Sequence, residues 1–139
     1  MWIEEELYKK ILRVMPIPTV DAIVLNQGRF LLLKRRNPPV KGEWWLPGGR
    51  IRKGEELEEA VKREVLEETG LECEIIRQVG VINQIFPECH TISNYYLVKS
   101  KSRDVKLNRE HNDYKWVSKL PEDSHPYIKT MIKNAGLSV

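Results

Sequence analysis

The sequence predicts an α/β fold, in which a mixed β-sheet is covered by helices. Segments rich in Val, Ile and Leu, typical of strands, occur along the chain together with segments of helical periodicity. Elements of the two kinds alternate in some places and cluster in others, which favours one sheet with helices on its faces. The chain has 139 residues, the size of one domain. We therefore expect a single domain over residues 1–139.

The N-terminal half is predicted to contain a short amphipathic helix followed by a β-hairpin. Over residues 3–14, helical spacing gives one apolar stripe, formed by Ile3, Leu7, Ile11 and Val14. This stripe suits either the chain's own sheet or a second copy of the chain. The other predicted elements of this half are strands over 19–25, 29–35 and 44–46 and turns at 26–28 and 47–49.

The C-terminal half is predicted to contain two helices and three strands. Residues 55–69 contain neither Gly nor Pro, and Gly70 stands where a helix commonly ends. The remaining predicted elements are a long antiparallel pair over 74–84 and 91–99, a short strand over 114–117 and a helix over 124–135.

Composition excludes several classes of partner. The chain has 23 Lys and Arg against 20 Asp and Glu, a net charge of +3, and a protein that binds nucleic acid usually carries a stronger bias. Apolar segments such as residues 30–33 are far shorter than the roughly 18–20 residues that cross a bilayer. The N-terminus has no basic start followed by an apolar stretch, as a signal peptide would. We expect a cytoplasmic protein with neither nucleic acid nor membrane as a partner.

The predicted helix over residues 55–69 is the most informative segment. At about 100° per residue, Glu64, Glu67 and Glu68 fall within about 100° of arc. They adjoin the apolar stripe of this helix, formed by Leu57, Val61 and Val65. Like charges at the edge of a buried face need a cation or a proton, and Mg²⁺ prefers such oxygen ligands. The spacing alone fits a metal site and a solvated Glu-rich helix equally well.

Residues 49–71 match a longer pattern, G-x5-E-x7-R-E-U-x-E-E-x-G-U with U aliphatic, at every specified position. This pattern is the Nudix box, and the sequence resembles the Nudix hydrolase family over nearly its whole length. The resemblance implies an α/β/α sandwich that hydrolyses nucleoside diphosphates linked to another group, with Mg²⁺ or Mn²⁺. It implies that the metal ligands are Glu64, Glu67, Glu68 and the backbone carbonyl of Gly49. Arg63, together with Glu55, would brace the loop and the helix.

A second resemblance concerns the segments outside the box. Those that carry it are residues 16–21, 34–37, 44–50 and 111–116, and they resemble the GDP-mannose mannosyl hydrolase branch of the family. This resemblance implies that Asp21 and Tyr95 face the sugar of the substrate. It also implies that Arg35 and Arg50 hold the diphosphate.

His111 is the candidate general base, because an unperturbed imidazole with a pKa near 6.5 suits that role. The resemblance implies the same role for His111 and places Glu110 where that branch has a further metal ligand. Glu110 itself and the box glutamates Glu64 and Glu67 are alternative bases. The branch lacks part of the box and attacks the sugar carbon, whereas this chain has the complete box, which favours attack at phosphorus.

The sequence thus predicts a Mg²⁺-dependent Nudix hydrolase of a small-molecule nucleotide, a nucleotide sugar such as GDP-mannose. Its expected catalytic residues are Glu64, Glu67, Arg63 and His111. The alternatives are a pyrophosphohydrolase of ADP-ribose or nucleoside triphosphates, and a module that senses a nucleotide without cleaving it. A homodimer is one arrangement that the N-terminal helix would suit.

Overall fold

The fold is known from a computed structural model that describes residues 3–138. The helices are α1 (Glu5–Val14), α2 (Leu57–Thr69) and α3 (Pro126–Asn134). The strands are β1 (Ile17–Asn26), β2 (Arg29–Arg35), β3 (Trp44–Trp45), β4 (Gly48–Arg50), β5 (Cys73–Ile85), β6 (His90–Ser100) and β7 (His111–Val117). Residues 1, 2 and 139 of the predicted domain lie outside the described part. Within that part, no helix is long and apolar enough to cross a membrane.

Seven strands form one mixed sheet, so the predicted α/β class is confirmed. Its main order is β3-β2-β1-β6-β5, with β4 paired to β1 and β7 paired to β2. Strand β1 runs parallel to β6 and antiparallel to β2 and β4. The β1–β2 turn has positive φ at Gln27 (49°) and Gly28 (77°), as a two-residue hairpin with a type I′ turn requires.

The two faces of the sheet carry separate cores. On one face, Val20, Ala22 and Val24 of β1 pack with the apolar residues of α2. On the other face, Ile23 packs with the apolar residues of α3. This alternation along one strand is the period of two that a sheet buried on both faces shows. The architecture is therefore an α/β/α sandwich, and the acidic helix α2 covers one of its faces.

Residues 48–50 differ from the prediction, because the expected turn contains a short strand. Gly48 pairs with Asp21 of β1, and a Cβ at Gly48 would collide with the side chain of Asp21 and the carbonyl of Val20. Local sequence did not predict this strand, because backbone pairing with β1 forms it. Glycine is required at position 48 because the Asp21 side chain occupies the space of a Cβ. Strand β4 thereby lies directly beside the middle of β1.

The predicted apolar stripe of the N-terminal helix does not lie wholly against the chain's own sheet. Leu7 and Val14 are 50% and 65% exposed, and α1 has no fully buried residue. Tyr8 and Leu12, together with Ile3, instead face a cleft at the edge of the sheet. The helix is oriented with Tyr8 facing the cleft, and Leu7 and Val14 of the predicted stripe are exposed to solvent.

Candidate active site

One cleft contains most of the predicted site residues. Its volume is about 600 Å³, within the range of small-molecule sites. Its charged lining comprises Asp21, Arg35, Arg50, Arg52, Arg63, Glu64, Glu67 and Glu110. Its apolar lining includes Ile3, Tyr8, Leu12, Val40, Trp45 and Phe86. The cleft therefore offers both a surface for anions or metals and a surface for a planar or apolar group.

Arg63 holds the acidic residues of the box together. Its guanidinium donates to both carboxylate oxygens of Glu55, at 2.6 and 2.9 Å, and to the Arg50 carbonyl at 3.0 Å. It also donates to Glu64 at 2.6 Å and to Glu67 at 3.3 Å. The hydrogen bonds from Arg63 lower the pKa of Glu55 to about 2. Arg63 is thus a positioning residue that fixes the loop before α2 and orients two candidate metal carboxylates.

Strand β4 presses its backbone against the carboxylates of α2. The Gly48 N–H donates to both oxygens of Glu68, at 3.2 and 3.3 Å. A Cβ added to Gly49 would come within 2.7 Å of the Glu64 carboxylate. Only glycine allows this approach, and the backbone of Gly49 is therefore placed beside Glu64, as the resemblance implied for a metal ligand.

The partly buried carboxyl group of Glu64 and the buried one of Glu68 have too few nearby cations to balance their charges. Burial raises the pKa of Glu64, although the hydrogen bond from Arg63 opposes the shift. Burial also raises the pKa of Glu68 well above its usual range, and the charges of Glu64 and Glu110 add to this effect. Buried oxygen donors that repel one another fit a divalent cation such as Mg²⁺ or Mn²⁺.

His111 is placed at the same corner, but it is not open to the cleft as a general base would be. Its side chain is fully buried, and Nε2 lies 3.8 Å from an oxygen of Glu68. Burial lowers the pKa of His111 to about 4, with a further contribution from the charge of Arg35. Nδ1 lies 3.2 Å from Oδ1 of Asn108, which also accepts from the Glu110 N–H at 3.1 Å.

A β-bulge directs His111 toward α2. The predicted strand began at Tyr114, but β7 starts at His111. Lys34 of β2 pairs with Asp113 and Arg35 pairs with His111, so Asn112 is an extra residue. Trp116 packs on the α2 face, and strict alternation from it would turn His111 to the opposite face. The bulge reverses this facing and brings the imidazole to Glu68.

Asp21 and Arg35 form a second polar group in the cleft. Asp21 is 6% exposed and accepts a short 2.5 Å hydrogen bond from the Ser93 hydroxyl. Burial raises the pKa of Asp21 to about 7, although the Ser93 hydrogen bond and Arg35 act in the opposite direction. Arg35 donates to the carbonyls of Pro39 and Asn37, and within residues 3–138 it has no ion pair.

The structure does not bring Tyr95 into this cleft. Its ring belongs to the core beneath α3, and its hydroxyl accepts from the Asn134 amide at 2.9 Å. Arg50 does line the cleft, where its guanidinium stacks over the Tyr8 ring with 5.0 Å to the ring centre. Of the four predicted substrate residues, Asp21, Arg35 and Arg50 are therefore brought together and Tyr95 is not.

Sequence reasoning missed three residues that shape the site. Tyr8 was not predicted because it lies outside the aliphatic stripe of the N-terminal helix. Asn108 contacts both His111 and Glu110 through its side-chain oxygen, whereas Ser93 donates one hydrogen bond to Asp21. The sequence signal for Ser93 was its place two residues after Thr91, which puts two polar residues on one face of the predicted strand.

Known proteins with the same architecture bear out the class that the box indicated. Residues 15–123 match the NUDIX domain family, so the chain belongs to the Nudix family of hydrolases, which act on nucleoside diphosphate derivatives. An ADP-ribose pyrophosphatase of Methanocaldococcus jannaschii is 34% identical, over 94% of this chain and 81% of the relative. The low-salt glycan biosynthesis protein Agl8 of Haloferax volcanii is 26% identical, over 91% of this chain and 86% of the relative.

A solved structure agrees with both sequence and fold. The crystal structure of the MutT protein from Methanosarcina mazei Go1 is 35% identical to this chain. The two superpose with a TM-score of 0.78, covering 85% of this chain and 91% of that chain. The fold similarity therefore extends well beyond the box itself.

Proposed function

We propose that this protein hydrolyses nucleoside diphosphate sugars at the diphosphate, with Mg²⁺ or Mn²⁺. The observation that carries the proposal is the cleft itself. Carboxylates Glu64 and Glu67 of the complete box, the arginine Arg35 and an apolar wall line one cavity of about 600 Å³. A diphosphate needs cations, and the base of a nucleotide needs an apolar surface. A sensing module has no need of aligned glutamates.

Three box carboxylates would hold the cation: Glu64, Glu67 and Glu68, with the Gly49 carbonyl. When bound, a divalent cation neutralises diphosphate charge and acidifies water. Glu64 would also accept the proton of the attacking water, because Arg63 holds one of its oxygens at 2.6 Å. Burial raises the pKa of Glu64, which makes it a stronger base than an exposed carboxylate. This assignment replaces His111 in that role.

Arg35 and Arg50 would bind the diphosphate oxygens. Arg35 has only backbone carbonyls as partners in the described part of the chain, so its remaining donors can reach a ligand in a forked geometry. Asp21 would accept from sugar hydroxyls. Among the relatives' names, ADP-ribose pyrophosphatase supports a nucleoside diphosphate sugar, whereas nucleoside triphosphatase NudI of Escherichia coli, 36% identical, supports a triphosphate. ADP-ribose, GDP-mannose and the nucleoside triphosphates are therefore the first substrates to test.

The test is a substrate panel with Mg²⁺ that contains ADP-ribose, GDP-mannose and the nucleoside triphosphates. We expect a nucleotide sugar to be cleaved with the highest kcat/KM. In H₂¹⁸O, attack at phosphorus places the label in a phosphate product, whereas attack at the sugar carbon labels the free sugar. Preference for triphosphates would contradict the proposed substrate class. Binding of every compound without turnover would favour a sensing module.

We also propose that α1 supports a homodimer. Leu7, Val14 and Met15 are each at least half exposed, and such side chains on one short helix suit a second copy of the same surface. Light scattering after size exclusion would measure the mass, and Leu7→Glu should shift a dimer to the monomer. A wild-type monomer at high concentration would exclude this arrangement. The cytoplasmic location stays a prediction that cell fractionation would test.

A further inference from the structure

We propose that His111 is a metal ligand, and that with Glu68 and Glu110 it forms a nitrogen-containing centre that binds Mn²⁺ or another first-row transition ion in preference to Mg²⁺. One nitrogen of His111 and one oxygen of each carboxylate lie within 4.8 Å of one another. The inference rests on the proposed function, because the centre would serve the same cleft, but it concerns metal identity and not the reaction.

The centre joins two elements that are distant in sequence. Glu68 comes from α2 and is 1% exposed, whereas His111 comes from the first position of β7. Glu110, the residue before it, is exposed and lines the cleft. The site therefore has two buried ligands and one ligand at the cleft, through which an ion could enter from solvent.

Hydrogen bonds fix the tautomer of His111. The Glu110 backbone N–H can only donate, so the Asn108 atom that faces it at 3.1 Å is the amide oxygen. The same oxygen lies 3.2 Å from Nδ1 of His111, and Nδ1 therefore carries the proton. Nε2 is left with its lone pair, and a histidine ligand commonly has this arrangement, in which the second nitrogen donates to an oxygen outside the metal's ligands.

The lone pair of Nε2 is directed to a place where a cation would satisfy it. Nε2 is buried and has no hydrogen-bond partner. The nearest carboxylate oxygen, on Glu68, lies 3.8 Å away, too far for a hydrogen bond. A buried acceptor without a donor costs free energy, and a nitrogen lone pair beside a carboxylate adds repulsion. A metal ion between them would remove both costs.

Nitrogen in the ligand set decides the preferred metal. Imidazole suits Zn²⁺, Fe²⁺ and Ni²⁺ best, and Mn²⁺ stands at the weak end of the same first-row series, whereas Mg²⁺ favours oxygen ligands and retains water. The carboxylates Glu64 and Glu67 offer oxygen only and suit Mg²⁺. The chain would therefore hold different ions at neighbouring positions, with the transition ion nearer to β7.

Pulsed electron paramagnetic resonance of Mn²⁺ bound to the untagged protein tests the inference directly. A coordinated imidazole gives ¹⁴N modulation, which carboxylate ligands do not. We expect this modulation in the wild type, with Mg²⁺ in excess, and its loss in His111→Phe. Asn108→Ala, which leaves the ligands in place, should weaken Mn²⁺ binding by roughly 10–100-fold. His90→Phe is the matched control and should keep the signal.

Absence of ¹⁴N modulation in the wild type overturns the inference, as does an unchanged signal in His111→Phe. If His111→Phe does not fold, the wild-type spectrum and Asn108→Ala still decide. Hydrolysis with Mg²⁺ is measured on the same preparations. Hydrolysis without the nitrogen signal contradicts the metal centre but leaves the proposed function in place. The nitrogen signal without hydrolysis of any substrate supports the centre and contradicts the proposed function.

Discussion

The two ends of the acidic cluster on α2 are built in opposite ways. At one end, Arg63 donates four hydrogen bonds to three carboxylates, two of them to Glu55. At the other end, Glu68 is buried with one backbone N–H as its donor, and it faces the unpartnered Nε2 of His111. Both ends contain carboxylates of the same helix, since Glu64 and Glu68 are only about one turn apart.

Because of this difference, Arg63 and Glu55 form a fixed scaffold, whereas Glu68 lies at a position that can bind an ion. Where the chain supplies its own cation, the pKa of Glu55 falls to about 2 and the geometry is fixed before any ligand arrives. Where it supplies none, burial raises the pKa of Glu68, because the charged carboxylate is unfavourable there unless an ion is bound. The two ends should therefore respond to substitution with opposite signs of stability change.

Glu68→Gln should give the largest change in activity. We expect kcat to fall by about 10²–10⁴-fold, because a cation ligand is lost while the amide oxygen can still accept from Gly48. In metal-free buffer at pH 8 the free energy of unfolding should stay constant or rise, since a buried charge is removed. Steady-state kinetics and urea unfolding measure the two effects. Glu58→Gln, on the exposed side of α2, is the control.

Near-normal activity of Glu68→Gln would contradict the assignment of Glu68 as a metal ligand. Marked destabilisation in metal-free buffer would show that Glu68 belongs to the scaffold end, and the contrast between the ends would disappear.

Arg63→Met should destabilise the protein by roughly 2–4 kcal/mol, because it leaves Glu55 and Glu64 partly buried without a cation. The side chain of Arg63 is 16% exposed, so solvent compensates only in part. Urea unfolding in metal-free buffer measures the change. If the variant is as stable as the wild type, the hydrogen bonds of Arg63 do not stabilise the fold. The proposed contrast between Arg63 and Glu68 would then be wrong.

Asp21 tests whether a second buried carboxyl behaves like Glu68. The pKa of Asp21 is about 7 in the folded state and near 3.9 in the unfolded state. The folded state therefore binds the proton more tightly, so stability is fully present below pH 4 and is lost as the pH rises through 7. Asp21→Asn should remove this loss, roughly 3–4 kcal/mol between pH 4 and 8.

Unfolding free energies of Asp21→Asn and wild type at several pH values give the difference, because contributions of groups that do not interact with Asp21 cancel. A difference that stays constant from pH 4 to 8 would refute the raised pKa.

Arg52→Met should have the smallest effect. Arg52 contacts Glu67 at 3.3 Å, and both side chains are more than 40% exposed, so we expect a change below about 0.5 kcal/mol. It is the matched control for Arg63→Met, since each substitution removes one guanidinium beside Glu67. A loss comparable with that of Arg63→Met would mean that net charge near α2, and not the buried geometry, sets the stability.

Local pattern was enough to predict most of the fold. The strand over 29–35 was predicted with its observed ends, and the hairpin turn before it followed from Gly28. The helical period placed Glu64, Glu67 and Glu68 together on α2. The strand at 48–50 was missed because its pairing partner lies in β1, and two glycines carry no strand preference.

The remaining part of the site depends on tertiary structure. His111 meets Glu68 only because β7 pairs with β2 in a register that contains a bulge, and no local pattern specifies that register. Tyr95 and Asp21 are paired neighbours in adjacent strands, so a shared role was reasonable. Yet Tyr95 lies under α3, where the cleft does not extend. Predicted function therefore depended on the box, and the arrangement around it required the structure.

The bulge at Asn112 has a consequence for how such a centre tolerates changes in chain length. Asn112 is the extra residue of β7, and its deletion would leave His111 four positions before Trp116 instead of five. Regular alternation would then direct His111 to the same face as Trp116, toward α2. The imidazole can thus reach this face through a bulge or through regular pairing. We expect an Asn112 deletion to retain ¹⁴N modulation, because His111 keeps its facing.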